Sequence, residues 1–207
     1  MYLWRAVFQN GRILFCCDLQ KMPVERPSDR LPSQLSIERL RNLYEVGEAE
    51  RRKIGSDRTA EVCDRLIAER FRKGASLWLA RWNGDLAGYG WSLSCGSMEG
   101  CYYPADPEDV HLLEFLVFPE YRGQRINSLL VNHILRHLAA EGRVHAYLDV
   151  AEWNQAGLNS YRHTSFRPVG ISKGGPLRRR RIVKWIDPEG VYGQPPGQNV
   201  AVRTRPA

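Results

Sequence analysis

The sequence predicts an α/β (α+β) fold built on a mixed sheet, and three features carry the prediction. Two Asn-Gly dipeptides each divide a pair of β-type segments, which reads as two antiparallel hairpins. A third stretch runs strand, turn, helix, strand within about 40 residues, a βαβ unit whose strands run parallel with a right-handed crossover.

Taken in order, YLWRAVFQ and RILFCCDL flank Asn10-Gly11, a dipeptide that tolerates the positive φ angles of a type I′ turn, so residues 1–20 read as an N-terminal β-hairpin. Residues 22–34, rich in proline and charge, read as a linker. Ile37, Leu40, Leu43 and Tyr44 recur at helical spacing and predict a short helix. Val62, Leu66, Ile67 and Phe71 predict a second, with Ser56 as N-cap and Gly74 as its stop. SLWLARW and LAGYGWSL bracket Asn83-Gly84 as the second hairpin, and the glycine- and proline-containing residues 94–108 form a loop. VHLLEFLVF is apolar almost without alternation, as a strand covered on both faces should be, and Pro119 ends it. Ile126, Leu129, Leu130, Ile134 and Leu138 then mark a helix closed by Gly142, before the strand VHAYLDV. Residues 156–163 read as helix, and FRPVGIS and RRIVKWI as strands. The chain has no internal repeats, so residues 1–186 read as one domain. From Asp187 onward apolar periodicity is lost, and a disordered tail is expected over 187–207.

An apolar fraction of 43% in 207 residues suffices for a substantial core. No apolar stretch approaches the ~18 residues of a membrane span, and the first twenty residues lack the apolar core and cleavage site of a signal peptide, so the expected location is the cytoplasm. Five cysteines, odd in number and without a CxxC pair, suggest neither a disulfide framework nor a zinc site; they read as small buried hydrophobes. The formal charge of +7 suits an anionic ligand, and equally a nucleic acid or a membrane surface. Part of it is the run Arg178–Arg181, which enters the segment IVKWI and so reads as the start of an edge strand, where positive side chains discourage unwanted pairing. No aromatic or recognition-helix pattern supports nucleic-acid binding.

The turn after the first strand of a βαβ unit is where ligands sit, because the free N–H groups and dipole of the first helical turn attract anions. Here that turn is PEYRGQRINS. The stretch VFPEYRGQRIN carries Val117, Pro119, Arg122 and the apolar Ile126 in the pattern Val-x-Pro followed by Arg/Gln-x-x-Gly-x-Gly/Ala, and NQAGLNSYRHTSF keeps Asn154, Tyr161 and Phe166 at a matching spacing. In these two blocks the segment from Glu114 to Gly170 resembles the GNAT N-acetyltransferase superfamily. It departs from the pattern at both loop glycines, where Arg125 and Asn127 stand, and at Ser165. The resemblance implies a mostly antiparallel mixed sheet with a central parallel strand pair that splays apart, helices on both faces, and acetyl-CoA as cosubstrate without a metal. The initial hairpin would be an addition to it. Carried over by position, the cofactor-binding residues are Leu116, Val117, Arg122, Gly123, Gln124, Arg125, Ile126, Asn127, Ser128 and Asn154. Residues already in helical conformation need no positive φ, so the loop is expected to keep its amides available without glycine, with Arg125 adding a charge-assisted contact. The alternative is that Arg125 and Asn127 fill the groove and leave a noncatalytic binding module.

Acyl transfer needs a donor for the developing oxyanion, a base for the amine and an acid for the thiolate. By resemblance the donor is a backbone N–H near Val117, and Tyr161 is the acid, its ordinary pKa of ~10 keeping it protonated at neutral pH. Two residues contend for the base. Glu114 lies inside an apolar strand, where a carboxylate is costly unless it finds a partner or a cleft. His111 stands three residues earlier, and period-two alternation puts the pair on opposite faces unless a bulge intervenes. A water-relayed base is the third option. His133, His137, His145 and His163 do not make a metal set, and the first two read as the solvent side of their helix. The expected acceptor is a small-molecule amine, a protein N-terminus or lysine being compatible as well; the surrounding loops mix acidic and basic residues without bias. A dimer is compatible with the sequence, which does not fix the oligomeric state.

Overall fold

The structure, a computed structural model, describes residues 11–22, 30–56, 59–174 and 181–186. One sheet of eight strands runs in the order β2-β3-β4-β5-β6-β1-β7-β8. Its members are β1 (Gly11–Asp18), β2 (Leu35–Leu40), β3 (Ser76–Trp82), β4 (Asp85–Ser94), β5 (Val110–Val117), β6 (His145–Ala151), β7 (Arg167–Gly174) and β8 (Arg181–Trp185). Every neighbouring pair is antiparallel except β5 and β6, which are parallel. The βαβ unit is therefore the one interruption in an otherwise antiparallel sheet, as predicted.

Four α-helices among the described residues cover the two faces: α1 (Glu48–Ile54), α2 (Ala60–Arg72), α3 (Ile126–Ala140) and α4 (Gln155–Tyr161). Strand alternation sorts the core. Trp78, Ala80, Val110, Leu112, Ala146 and Leu148 point to one face, where α3 buries Ile126, Leu130, Ile134, Leu135 and Leu138 against them. On the opposite face, Leu77, Leu79 and Trp91 meet Cys63 and Ile67 of α2. Beside them on that face, Leu14, Cys16, Tyr147 and Val169 are roofed by Cys95 and Tyr103 of the loop that follows β4. Helix α1 buries no residue of its own, so polar ties hold it. Arg51 donates to the Val46 carbonyl and pairs with Asp64, while Lys53 donates to the Leu86 carbonyl at 2.8 Å.

The sequence expectations for the first two helices need correction. The predicted helix through Ile37, Leu40, Leu43 and Tyr44 is instead the outer strand β2 followed by a 3-10 turn at Leu43–Glu45. Leu35 and Leu40 anchor the ends of β2, and Tyr44 is 98% exposed, so no helical stripe exists. Helix α2 starts at Ala60 with Thr59 as N-cap, while Ser56 lies in the turn after α1. Strand β1 lies inside the sheet, where it pairs with both β6 and β7. The first half of the N-terminal hairpin, most of the linker, Arg178–Arg180 and the tail over 187–207 lie outside the described residues. Arg181 opens β8, which is indeed an edge strand.

Among the described residues no helix is long and apolar enough to cross a membrane. Cys16, Cys17, Cys63 and Cys95 are buried and Cys101 half-buried, all as free thiols. Burial pushes the Cys16, Cys17 and Cys95 thiols up to about 12, which makes them inert small hydrophobes. His133 is not on the solvent side: it is half-buried, and both it and His137 present ring edges to Trp78, at 6.2 and 5.2 Å between centroids.

Candidate active site

Strands β5 and β6 pair only at Val110↔Ala146 and His111↔Tyr147. Beyond that point they separate, and the peptide groups of β5 that face β6 lose their strand partner. On its other edge β5 is bulged. Leu113 pairs with Trp91 and Leu116 with Tyr89, so Glu114 and Phe115 together oppose Gly90, and Glu114 takes a φ of +50°. Glycine is required opposite this bulge for space. A Cβ at Gly90 would come within 2.4 Å of the Phe115 ring, and one at Gly88 within 2.7 Å of the Leu116 carbonyl oxygen.

The bulge resets the side-chain parity of β5. Phe115 and Val117 turn toward the α3 face. Glu114 turns with Leu113 toward the α2 face, where it pairs with Arg70. The condition under which His111 and Glu114 share a face is thereby met.

On the α3 side of the opening lies a groove of about 590 Å³. It brings together Leu116, Val117, Arg122, Gly123, Arg125, Ile126, Asn127, Ser128 and Asn154, all named from the sequence, but not Gln124; Gly157, Asn159 and Ser160 of α4 complete the wall. The first α3 amide with a carbonyl partner in the preceding turn is that of Leu129, which bonds Arg125 O at 3.1 Å. The amides of Ile126, Asn127 and Ser128 therefore have no intrahelical acceptor and offer an anion site.

The turn itself departs from expectation. Arg125, the N-cap of α3, sits in the left-handed region at φ +60°, so the position does call for the glycine it lacks. An L-residue there costs about 1–2 kcal/mol. Arg122 is oriented by its Nε, which donates to the Val117 carbonyl at 3.2 Å. Asn127, at the second missing glycine, bridges helices. Its Nδ2 donates to Ser160 Oγ at 2.8 Å, while its Oδ1 is buried with no partner among the described residues. Ser128 donates to the Ser160 carbonyl, and Asn154 caps α4 by accepting from the Gly157 amide.

Tyr161 does not line the groove directly. Only 7% exposed, it packs between Phe15 and Phe166 and is hydrogen-bonded to the Asn127 side chain, which does line it. Burial pushes the phenol up to about 12; the Asn127 bond pulls it back somewhat.

Glu114 borders a second pocket of about 340 Å³ between α1, α2 and the sheet. Leu116 lines both cavities.

His111 lines neither cavity. It is 5% exposed under the loop after β4, where its Nδ1 bonds Tyr103 Oη and its Nε2 lies 3.8 Å from Asp149 Oδ1. Asp149 is in turn bound by Arg12 and by Tyr102 Oη at 2.6 Å. Burial depresses the imidazole pKa to about 4 against the opposing pull of Asp149, so His111 is neutral at pH 7. Nothing local in the sequence signals this network, since its members come from four separate segments.

The depressed pKa has a measurable consequence. At pH 7 both folded and unfolded His111 are largely uncharged. As pH falls from about 6.5 toward 4, only the unfolded chain takes up the proton, so stability drops. Between pH 7 and pH 5 the expected loss from this residue is about 2 kcal/mol. Urea unfolding at the two pH values measures it, and His111→Asn should remove that part of the loss.

Among the described residues no group of three or more His, Cys, Asp or Glu is disposed to hold a metal ion.

The site is thus a mixed sheet opened between two parallel strands, with an anion-attracting helix end on one side and a carboxylate-bearing pocket on the other. The Acetyltransferase (GNAT) family matches residues 37–166, and the chain belongs to that family. Solved structures agree on the fold. A tandem GNAT protein from the clavulanic acid biosynthesis pathway superposes with a TM-score of 0.56 at 18% identity, over 78% of this chain and 51% of that one. A putative GNAT-family acetyltransferase from Novosphingobium aromaticivorans gives 0.51 at 15% identity, over 78% and 61%. A GNAT-family acetyltransferase from Colwellia psychrerythraea gives 0.53 at 12%, over 84% and 55%. The chain thus spans between half and two thirds of these relatives' length. At such identities the likeness is one of fold alone. No curated protein matches the chain.

Proposed function

We propose that the chain transfers an acetyl group from acetyl-CoA to a primary amine by direct attack within a ternary complex. The observation that carries this reading is that Leu116 lines two cavities, one with an anion-binding end and the other with a carboxylate. In this scheme the pyrophosphate rests on the free amides of α3 with Arg122 and Arg125 beside it. The pantetheine arm lies along the unpaired edge of β5 over an apolar floor of Phe115, Leu116 and Val117.

A β5 amide near Val117 stabilises the oxyanion. Glu114 receives the amine's proton, because it borders the second pocket while His111 is enclosed and weakly basic. Tyr161, held protonated by burial behind the Asn127 side chain, is the acid that the family resemblance assigns for the departing thiolate.

Acetyl-CoA at about a hundred times its dissociation constant should stabilise the fold by ~2.7 kcal/mol, read as a rise in melting temperature. Thiol release in the presence of an amine panel should accompany it. A fold unmoved by saturating acetyl-CoA would instead identify a noncatalytic module with a filled groove.

A further inference from the structure

The pocket on the α2 side carries information about the acceptor. Resting on the acetyl-transfer reading above, we infer that the acceptor is a small zwitterion, an α-amino acid with an aromatic or branched aliphatic side chain, whose carboxylate is held by Arg70 and whose amine is held by Glu114.

The charges of the pocket lead to this class. Lys53, one of its two cations among the described residues, is already engaged. It pairs with Glu120 at 3.0 Å, donates to the Leu86 carbonyl, and lies 4.3 Å from the centre of the Phe118 ring. What remains is Arg70 and Glu114, paired with each other. Such a pair is complementary to one ligand pattern, an ammonium and a carboxylate on neighbouring atoms. The ligand then replaces a single internal ion pair by two intermolecular ones and leaves neither charge unmatched. A polyamine or aminoglycoside would bring several cations to a site with one carboxylate, already paired, and two cations of its own. The guanidinium is prearranged for a planar carboxylate, since its carbon is stacked 5.0 Å from the Trp91 ring and cannot swing freely.

The rest of the wall fixes the side chain. Trp91, Tyr89, Leu66 and Ile67 line the same pocket and offer an apolar surface. A volume of about 340 Å³ stands near the lower end of the ~300–1,000 Å³ of small-molecule sites, which suits one amino acid and not a multi-ring antibiotic. Glu114 and Leu116 both belong to β5 and line the pocket, and in this assignment the amine end of the ligand lies toward that wall. In the balanced reaction the ammonium loses one proton to Glu114. Its nitrogen bonds the acetyl carbonyl carbon and the C–S bond breaks; coenzyme A departs as thiol with a proton from the acid, and the N-acetylated nitrogen releases its surplus proton to solvent.

The test measures thiol release from acetyl-CoA with phenylalanine, leucine, phenylalanine amide, phenethylamine, spermidine and kanamycin. Melting curves follow acetyl-CoA and phenylalanine, each added alone. The free amino acids should exceed the amide and phenethylamine at least tenfold in kcat/KM. Arg70→Gln should bring the acid-to-amide ratio to about one while acetyl-CoA still raises its melting temperature. Phenylalanine alone should stabilise the wild type and not Arg70→Gln.

Preference for spermidine, kanamycin or the amide, or an acid preference that survives in Arg70→Gln, would overturn the zwitterion assignment and leave acetyl transfer intact. Acetyl-CoA protection without turnover or stabilisation by any amino acid would overturn it as well. Absence of acetyl-CoA protection would instead remove the transferase reading, and the melting response to phenylalanine would still decide the pocket.

Discussion

Tyr161→Phe is expected to lower kcat about 10²-fold while the acetyl-CoA dissociation constant stays within about twofold. The phenol is enclosed by Phe15 and Phe166, and its hydroxyl meets the groove only through the Asn127 side chain. Removing one oxygen therefore leaves the apolar packing in place and takes away one hydrogen bond, worth about 1 kcal/mol of stability. The loss in kcat corresponds to about 2.7 kcal/mol of transition-state stabilisation, more than the lost bond contributes to the fold. Because burial holds the hydroxyl at a pKa of about 12, kcat of the wild type should show no alkaline decline from this group up to pH 10. Steady-state kinetics over that range, with cofactor titrations alongside, measure both effects. Turnover equal to wild type would take Tyr161 out of the mechanism.

The second large effect concerns the cofactor. Replacing Arg122 by Ala and Arg125 by Gly together is expected to weaken acetyl-CoA binding about 30-fold, with kcat at saturation changed far less. The choice of glycine at 125 matters. Arg125 holds a left-handed φ that glycine adopts without strain, so the turn and the free amides of α3 survive; the charges are removed, together with the Arg122 Nε bond to the Val117 carbonyl. Each charge-assisted contact at this solvent-exposed corner is discounted to about 1 kcal/mol, and two make about 2 kcal/mol. Calorimetric titration reads the result. Unchanged affinity would mean that the corner does not carry the pyrophosphate.

The position of Arg125 also shows where sequence reasoning reached its limit. The turn and the helix behind it were legible, because Pro119 and the spacing Ile126, Leu130, Ile134 are local signals. Whether the residue before the helix has positive φ is set by how the 3-10 turn at Pro119–Tyr121 delivers the chain, which no side-chain pattern records. The β5 bulge was half legible. Gly88 and Gly90 inside a β-type segment are the mark of close backbone approach; Gly88 pairs with Val117, and Gly90 stands opposite Glu114 and Phe115.

Strand β2 was misread because Leu35 and Ile37 are two apart while Leu40 and Leu43 are three apart, so the set fits a helix as well as an outer strand. Helix α1, EAERRKI, gave no periodicity because it buries nothing. The long-range pieces were out of reach. The insertion of β1 between β6 and β7, and the Arg12, Tyr102, Tyr103, His111 and Asp149 network that it completes, depend on which segments become neighbours in the sheet.

The central claim is that the gap between β5 and β6, closed at one end by bare amides of α3, is a cofactor seat in spite of its missing glycines. A crystal structure grown with acetyl-CoA tests it most directly. The account predicts the pantetheine chain running along β5 past Leu116 and the pyrophosphate within hydrogen-bond distance of the Ile126, Asn127 and Ser128 amides. A groove occupied by the Arg125 side chain, with no nucleotide beside α3, would contradict it.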